Sequence, residues 1–214
     1  MQIEVWSDVI CPWCYIGKRR FEQALAQYEG RDDVEVVWRS YELDPAAPAQ
    51  YPYSLNEMLA QKYKVSPQQA EDMNTRVSGI AREVGLEYHL ADARPGNTLD
   101  AHRLMHFAAA QGQGNQATER LMHAYFSESF PVGDRAALAR LAPEFGITEA
   151  DALAMLQGTD QTEAVRADEM QAATYGITGV PFFVIDRKLG VSGAQPVEVF
   201  LQALRQASAA TPAA

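Results

Sequence analysis

Cysteine is almost absent, with two in 214 residues, too few for the disulfide scaffold of a small secreted domain. No apolar run approaches the roughly 18 residues that a membrane span needs. Basic side chains are the minority: 18 Lys and Arg stand against 28 Asp and Glu, a net charge of −10. Such a field repels a phosphate backbone and argues against a nucleic-acid footprint. No internal repeat is found, and the only compositionally biased stretch is the Ala/Thr/Pro tail from Ser208, expected to fray. Met1 to Trp6 carries Glu4 where a signal peptide would carry Lys or Arg, and no apolar core of a signal follows, so a cytoplasmic location is expected. What remains, at 47% apolar and 21% charged, is a globular composition of one large domain or a domain with an insertion.

The chain changes character twice. Ile3 to Ile10 is β-branched and aromatic and reads as a buried strand, followed by a helix from about Tyr15 to Tyr28 and a second strand over Val34 to Leu43. In the helix, Cys14, Phe21, Leu25 and Tyr28 supply the apolar face, and Gly30 supplies the stop. From Ser54 to about Thr174 the pattern is helix after helix. Ser54 with Glu57 and Ser66 with Gln69 fit capping boxes, the second with Pro67 at the first helical position. Asn97 or Thr98 opens a helix running to about Gln111. Further helices are expected near Gln116–Ser127, Asp134–Pro143, Thr148–Gln157 and Thr159–Thr174. Strands return at Phe182–Ile185 and Leu189–Ser192, and Pro196 opens a closing helix bearing Val199, Phe200, Ala203 and Leu204. Strand–helix–strand in front and strand–strand–helix behind predict an α/β fold whose two ends join in one mixed sheet. The intervening helices would form a second lobe.

The chemistry concentrates at Cys11-Pro12-Trp13-Cys14, between the first strand and its helix. A cysteine at a helix N-terminus faces unpaired N–H groups and the positive end of the helix dipole, which favour a thiolate. Pro12 needs no N–H there. Cys14, about one turn further, points toward the buried side. Cys11 is thus expected to be the exposed nucleophile and Cys14 the resolving thiol, with Trp13 shielding the pair and touching substrate. Lys18, Arg19 and Arg20 are expected to form a solvated face. The competing reading is a metal site, since Cys11, Cys14, His102 and His106 make a Cys2His2 set. The 87 residues between Cys14 and His102 are far outside the usual finger spacing.

Gly179-Val180-Pro181 before the apolar run Phe182-Phe183-Val184-Ile185 is a candidate cis-proline turn, with a trans proline at a strand start as the plainer alternative. A cis bond would present the Val180 backbone beside Cys11 for pairing with an extended peptide. His102 and His106 share one broad face of the Asn97–Gln111 helix. His102 near Cys11 could stabilise its thiolate or shuttle a proton, and the plainer alternative is a packing histidine. Met58, Met73, Met105, Met122, Met155 and Met170 read as core filling by default.

Four motifs carry a resemblance over nearly the whole length: Ser7-Asp8-Val9-Ile10-Cys11-Pro12-Trp13-Cys14, Asn97-Thr98 with Ala101-His102-Arg103-Leu104, Thr178-Gly179-Val180-Pro181, and Ser192-Gly193-Ala194-Gln195-Pro196. The chain resembles the DsbA family of thioredoxin-fold proteins, in particular its cytoplasmic FrnE-like branch. The resemblance implies a thioredoxin-like domain over residues 1–53 and 162–214, an all-helical insertion over 54–161, a cis Val180–Pro181 bond, and thiol–disulfide exchange at Cys11 and Cys14. Pro12, Trp13, Val180, Pro181, Asn97, His102, Gly193, Ala194 and Gln195 are the expected substrate-side residues. No metal or organic cofactor is expected. Protein or small-thiol disulfides are the expected substrates, with glutathione or a reductase as electron donor. The same branch resembles 2-hydroxychromene-2-carboxylate isomerases and kappa-class glutathione transferases, so a glutathione-dependent isomerase is the alternative. A zinc-binding structural module is the lesser one.

Overall fold

The N-terminal β-branched run forms β1 (Gln2–Ser7), which pairs in parallel with β2 (Glu35–Ser40) and antiparallel with β3 (Phe182–Ile185). β3 in turn pairs antiparallel with β4 (Leu189–Ser192), giving one mixed sheet in the order β2-β1-β3-β4. The two ends of the chain therefore close on one another as expected. The structure, a computed structural model, describes residues 1–209.

The helix after β1 is α1 (Pro12–Gln27), and the C-terminal helix is α9 (Val197–Ala209). Both cover one sheet face. Phe21 of α1 and Phe200 of α9 meet Phe183 of β3, with ring centroids 5.3 and 4.6 Å away. Phe200, Ala203 and Leu204 are buried as anticipated, but Val199 is exposed. α9 continues through Ser208 to Ala209, where fraying was expected; the rest of the predicted tail, residues 210–214, lies outside the described residues.

Between β2 and β3 come α2 (Leu55–Tyr63), α3 (Pro67–Glu83), α4 (Leu99–Ala109), α5 (Gly114–Ser127), α6 (Arg135–Leu141), α7 (Glu149–Gln157) and α8 (Thr162–Thr174). Both capping boxes form: Ser54 with Glu57 on α2, and Ser66 with Gln69 on α3. The apolar core of the helices runs without a break into the first strand's helix, taking in Val9, Cys11, Cys14, Tyr15 and Ile16.

Several boundaries move for physical reasons. β1 stops at Ser7 rather than Ile10, because the Asp8 carbonyl accepts the Cys11 N–H at 3.1 Å and turns the chain. α1 therefore starts at Pro12, not Tyr15. β2 is shorter than Val34–Leu43, since the Leu43 N–H leaves the sheet to bond the Asp8 carboxylate at 2.8 Å. A 3-10 turn over Ala142–Phe145 follows α6, where Pro143 interrupts the helix. α8 begins at Thr162 instead of Thr159, after Gln161 at φ 65°.

Candidate active site at the Cys11–Cys14 turn

Cys11 is the N-cap of α1 and Pro12 its first residue. The Cys11 carbonyl accepts the Cys14 N–H at 3.0 Å, which starts the helix and leaves the thiol beside the unpaired donors of the first turn. The Val180–Pro181 bond is cis, and the Cys11 thiol donates to the Val180 carbonyl at 3.6 Å. Residues 169 positions apart thus meet at one sulfur. Cys11 is 4% exposed, so the expectation of an exposed nucleophile is corrected: the cis-proline loop covers it, while the neighbouring Trp13 is 43% exposed.

Cys14 lies behind it, fully buried, and both cysteines are thiols. Burial pushes the Cys14 thiol well above its ordinary range, and the neighbouring Cys11 thiol adds to this. The Ser7 hydroxyl and the Asp8 N–H oppose that shift by favouring the thiolate. The pair is therefore asymmetric, with one sulfur at a helix end near a groove and one sealed beneath it.

Ile10, Cys11, Pro12, Trp13 and Val180 form one end of a groove of about 630 Å³. α2 and α3 supply its far wall, including Leu55, Met58, Tyr63, Met73 and Val77. The rim carries uncovered apolar side chains: Trp13 43%, Leu43 36%, Tyr63 54% and Met73 43% exposed. Core filling holds for the buried Met105, Met122 and Met155, but Met58 and Met73 line the groove and Met170 is exposed. A site of this size and apolar character matches small-ligand and peptide pockets.

Other expected substrate-side residues do not line the groove. The Asn97 side chain accepts the Leu99 N–H at 2.9 Å and donates to the Pro45 carbonyl at 3.3 Å, so it tethers the start of α4. Gly193, Ala194 and Gln195 brace the proline from behind. The Gly193 N–H bonds the Pro181 carbonyl at 2.8 Å, Arg20 holds the Ala194 carbonyl at 2.7 Å, and the Gln195 amide bonds the Ser192 carbonyl at 2.8 Å. At Gly17 a Cβ would lie 2.9 Å from the Pro181 ring, so only glycine admits this packing. His102 is fully buried and faces Asp8, with Nε2 3.4 Å from Oδ1. That removes it from any direct contact with substrate.

The four residues of the alternative metal set do not converge. His106 turns to Ser40 at 3.1 Å and Asp168 at 3.0 Å, away from His102 and the cysteines. Among the described residues no cluster of three His, Cys, Asp or Glu could hold a metal ion.

Lys18 and Arg19 are not a solvated face. Lys18 is 1% exposed and donates to Glu22 at 2.5 Å and Glu119 at 2.6 Å. Arg19 pairs with the same two carboxylates, and Tyr15 bonds Glu119 at 2.6 Å. Burial alone would raise the Glu119 carboxyl, but Arg19, Lys18 and Tyr15 bring it down to about 2.

Sequence reasoning missed two contributors. Tyr88 donates to the Pro12 carbonyl at 2.8 Å and stacks on Phe126 at 4.4 Å. Asp8, quoted only as part of a motif, organises the turn that carries Cys11. The signal for it was in the chain: an acid between buried Ser7 and Val9 has to be satisfied.

Comparison with known proteins decides the family. Residues 2–205 match the DSBA-like thioredoxin domain. The chain belongs to that family. A solved relative, the probable DsbA oxidoreductase SCO1869 from Streptomyces coelicolor, is 42% identical with a TM-score of 0.95, covering 100% of this chain and 92% of that one. The uncharacterized protein YwbO of Bacillus subtilis (strain 168) is 30% identical over 206 residues, 95% of this chain and 96% of the relative. A 2-hydroxychromene-2-carboxylate isomerase structure superposes with a TM-score of 0.72 at 14% identity, covering 96% and 95%, a likeness of fold alone. This DSBA-like domain has the α/β thioredoxin architecture, with helices between its two strand-bearing ends.

Proposed function

We propose that this DSBA-like domain is a thiol–disulfide oxidoreductase in which Cys11 attacks and Cys14 resolves. The observation that carries the reading is the Cys11 sulfur, set at the first turn of α1 and against the Val180 carbonyl, with a second thiol buried one turn behind. Cys11 thiolate opens a substrate disulfide and forms a mixed disulfide; Cys14 then displaces the bound thiol and closes Cys11–Cys14. The reverse sequence would oxidise a substrate dithiol. Residues 1–53 and 162–214 would be the redox unit, and 54–161 the substrate-covering insertion.

The apolar groove and its uncovered rim favour protein disulfides flanked by apolar residues, with small apolar thiols as the other arm of the same test. No metal or organic cofactor is invoked, and glutathione or a reductase would supply electrons. No described helix is long and apolar enough to cross a membrane. In the proposed cytoplasmic setting, a poise of roughly −220 to −320 mV favours reduction or isomerisation over net oxidation.

The glutathione-dependent isomerase reading is kept alive by one observation, the shared fold with the isomerase. Insulin-disulfide reduction separates the two. Cys11→Ser should abolish it, and Cys14→Ser should accumulate mixed disulfides. Reduction that survives Cys11→Ser overturns the proposal. Turnover that requires glutathione but ignores loss of Cys14 moves the assignment to the isomerase.

A further inference from the structure

β2 is an edge of the sheet, since the strand order is β2-β1-β3-β4. Its pairing decides which backbone groups are already used. The Glu35 N–H bonds the Met1 carbonyl at 2.9 Å and the Tyr41 N–H bonds the Ser7 carbonyl at 3.2 Å, so the odd positions face β1. Backbone direction alternates along a strand, so Val36, Trp38 and Ser40 face outward. Ser40 agrees with that phase: its N–H bonds the Asp168 carboxylate of α8 at 2.9 Å. Among the described residues, no hydrogen bond reaches the outward N–H and C=O groups of Val36 and Trp38. Open edges are ordinarily blunted by a lysine, a proline or a bulge. Val36-Val37-Trp38 has none of these, and Arg39 is turned to Glu4 and Asp168.

A groove of about 400 Å³ follows this edge, separate from the one at Cys11. β2 lines one side, and Met105 and Ala109 of α4, Gly112, and Asn115 of α5 line the other. The Trp38 indole donates to Asn115 at 3.1 Å, and the Ser40 hydroxyl lies 3.1 Å from His106. Even-numbered side chains of β2 therefore turn toward α4 and α5. Small residues, Ala109 and Gly112, stand across from them. With α4 and α5 on its far side, the groove has room for one strand rather than for the sheet of a second copy. Among the described lining residues, Glu35 carries the one fixed charge, and it is exposed.

We propose that this groove binds an extended peptide segment of a partner protein, which adds to β2 as an antiparallel fifth strand. Two peptide residues spaced two apart, about 6.8 Å, would exchange N–H···O bonds with Trp38 and Val36 and use all four outward groups. Their side chains face Ala109 and Gly112 and must be small. The next peptide residue lies opposite Glu35, where charge favours lysine or arginine. This inference does not depend on the dithiol reading.

The test titrates acetyl-Ala-Val-Ala-Lys-amide into the nitrogen-labelled full chain. The backbone amide signals of Val36 and Trp38 should shift and saturate with a Kd of about 1 mM, while those of Cys11 and Trp13 stay fixed. N-methylation of either alanine removes a bond to β2 and should weaken binding about tenfold or more. N-methylation of the valine, whose N–H points away from β2, should change it less than about threefold. Glu35→Gln should weaken binding about threefold, a difference that closes in high salt. Lack of saturation by about 10 mM, equal loss for all three methylated peptides, or shifts centred on Trp13 and Met73 overturns the proposal. Val36 and Trp38 signals that move with protein concentration alone mean that a second copy takes the edge, which also overturns it.

Discussion

Two seams join the strand-bearing ends of the chain to its helical segment, and both run along α1. At the start of α1, the seam is undersatisfied: Glu42 Oε1 and both His102 ring nitrogens carry no hydrogen bond among the described residues, near a buried thiol. Further along, the seam is saturated. Lys18 and Arg19 share Glu22 and Glu119, and Tyr15 adds a hydrogen bond while stacking near Tyr88 and Phe126. The difference divides the two ends of α1. Saturated charges tie α1 to α5 at one end, whereas buried polar atoms from β1's turn, the loop after β2 and α4 meet at the other with fewer partners.

Substitutions should separate the two seams, starting from the largest effect. Cys11→Ser should lower disulfide-exchange turnover by at least about 10³-fold, with the melting temperature unchanged in a calorimetric scan. Glu119→Gln should do the opposite. Removing one partner of a mostly buried ion cluster should cost about 2 kcal/mol in urea titration, with exchange activity per folded molecule within twofold of wild type. A large loss of activity there would break the division.

The same carboxylate predicts acid behaviour. Its folded-state value near 2 lies below the ordinary 4.5, so its stabilising contribution is present above about pH 4.5 and disappears as pH falls toward 2. Glu119→Gln should therefore flatten the acid limb of stability against pH, with the difference from wild type closing near pH 2. Between the seams lies the groove. Met73→Lys should raise KM for an apolar disulfide peptide about tenfold with little change in kcat, as loss of uniform binding requires. The smallest effect is expected at His106→Asn. That ring is part-exposed and bonded to Ser40 and Asp168, so about 1 kcal/mol of stability should go, with no change in either phase of disulfide exchange.

Much of the fold was legible because it is written locally. β3 and β4 fall at Phe182–Ile185 and Leu189–Ser192 as read, and the capping boxes at Ser54 and Ser66 form. Local rules cover these cases because a strand pattern or a cap involves neighbours in sequence. The errors cluster where distant residues intervene. β1 and β2 end early because Asp8 draws in the Cys11 and Leu43 N–H groups, and Lys18 is buried because Glu119 waits a hundred residues away. Asn97 looked like a substrate residue, yet the Pro45 carbonyl and the Leu99 N–H occupy its amide.

By itself, the sequence determined the dithiol, its place at a helix start, and the return of the chain to a mixed sheet. Each depends on spacing, on proline's fixed φ, or on alternating apolar residues, all short-range properties. Only the tertiary structure decided that the cis-proline loop, expected beside Cys11, also buries its thiol, that Met58 and Met73 leave the core to line a groove, and that Asp8 faces His102 across 94 positions. Those outcomes follow from which buried polar groups find partners once the helices close over the sheet, and no local pattern encodes that pairing.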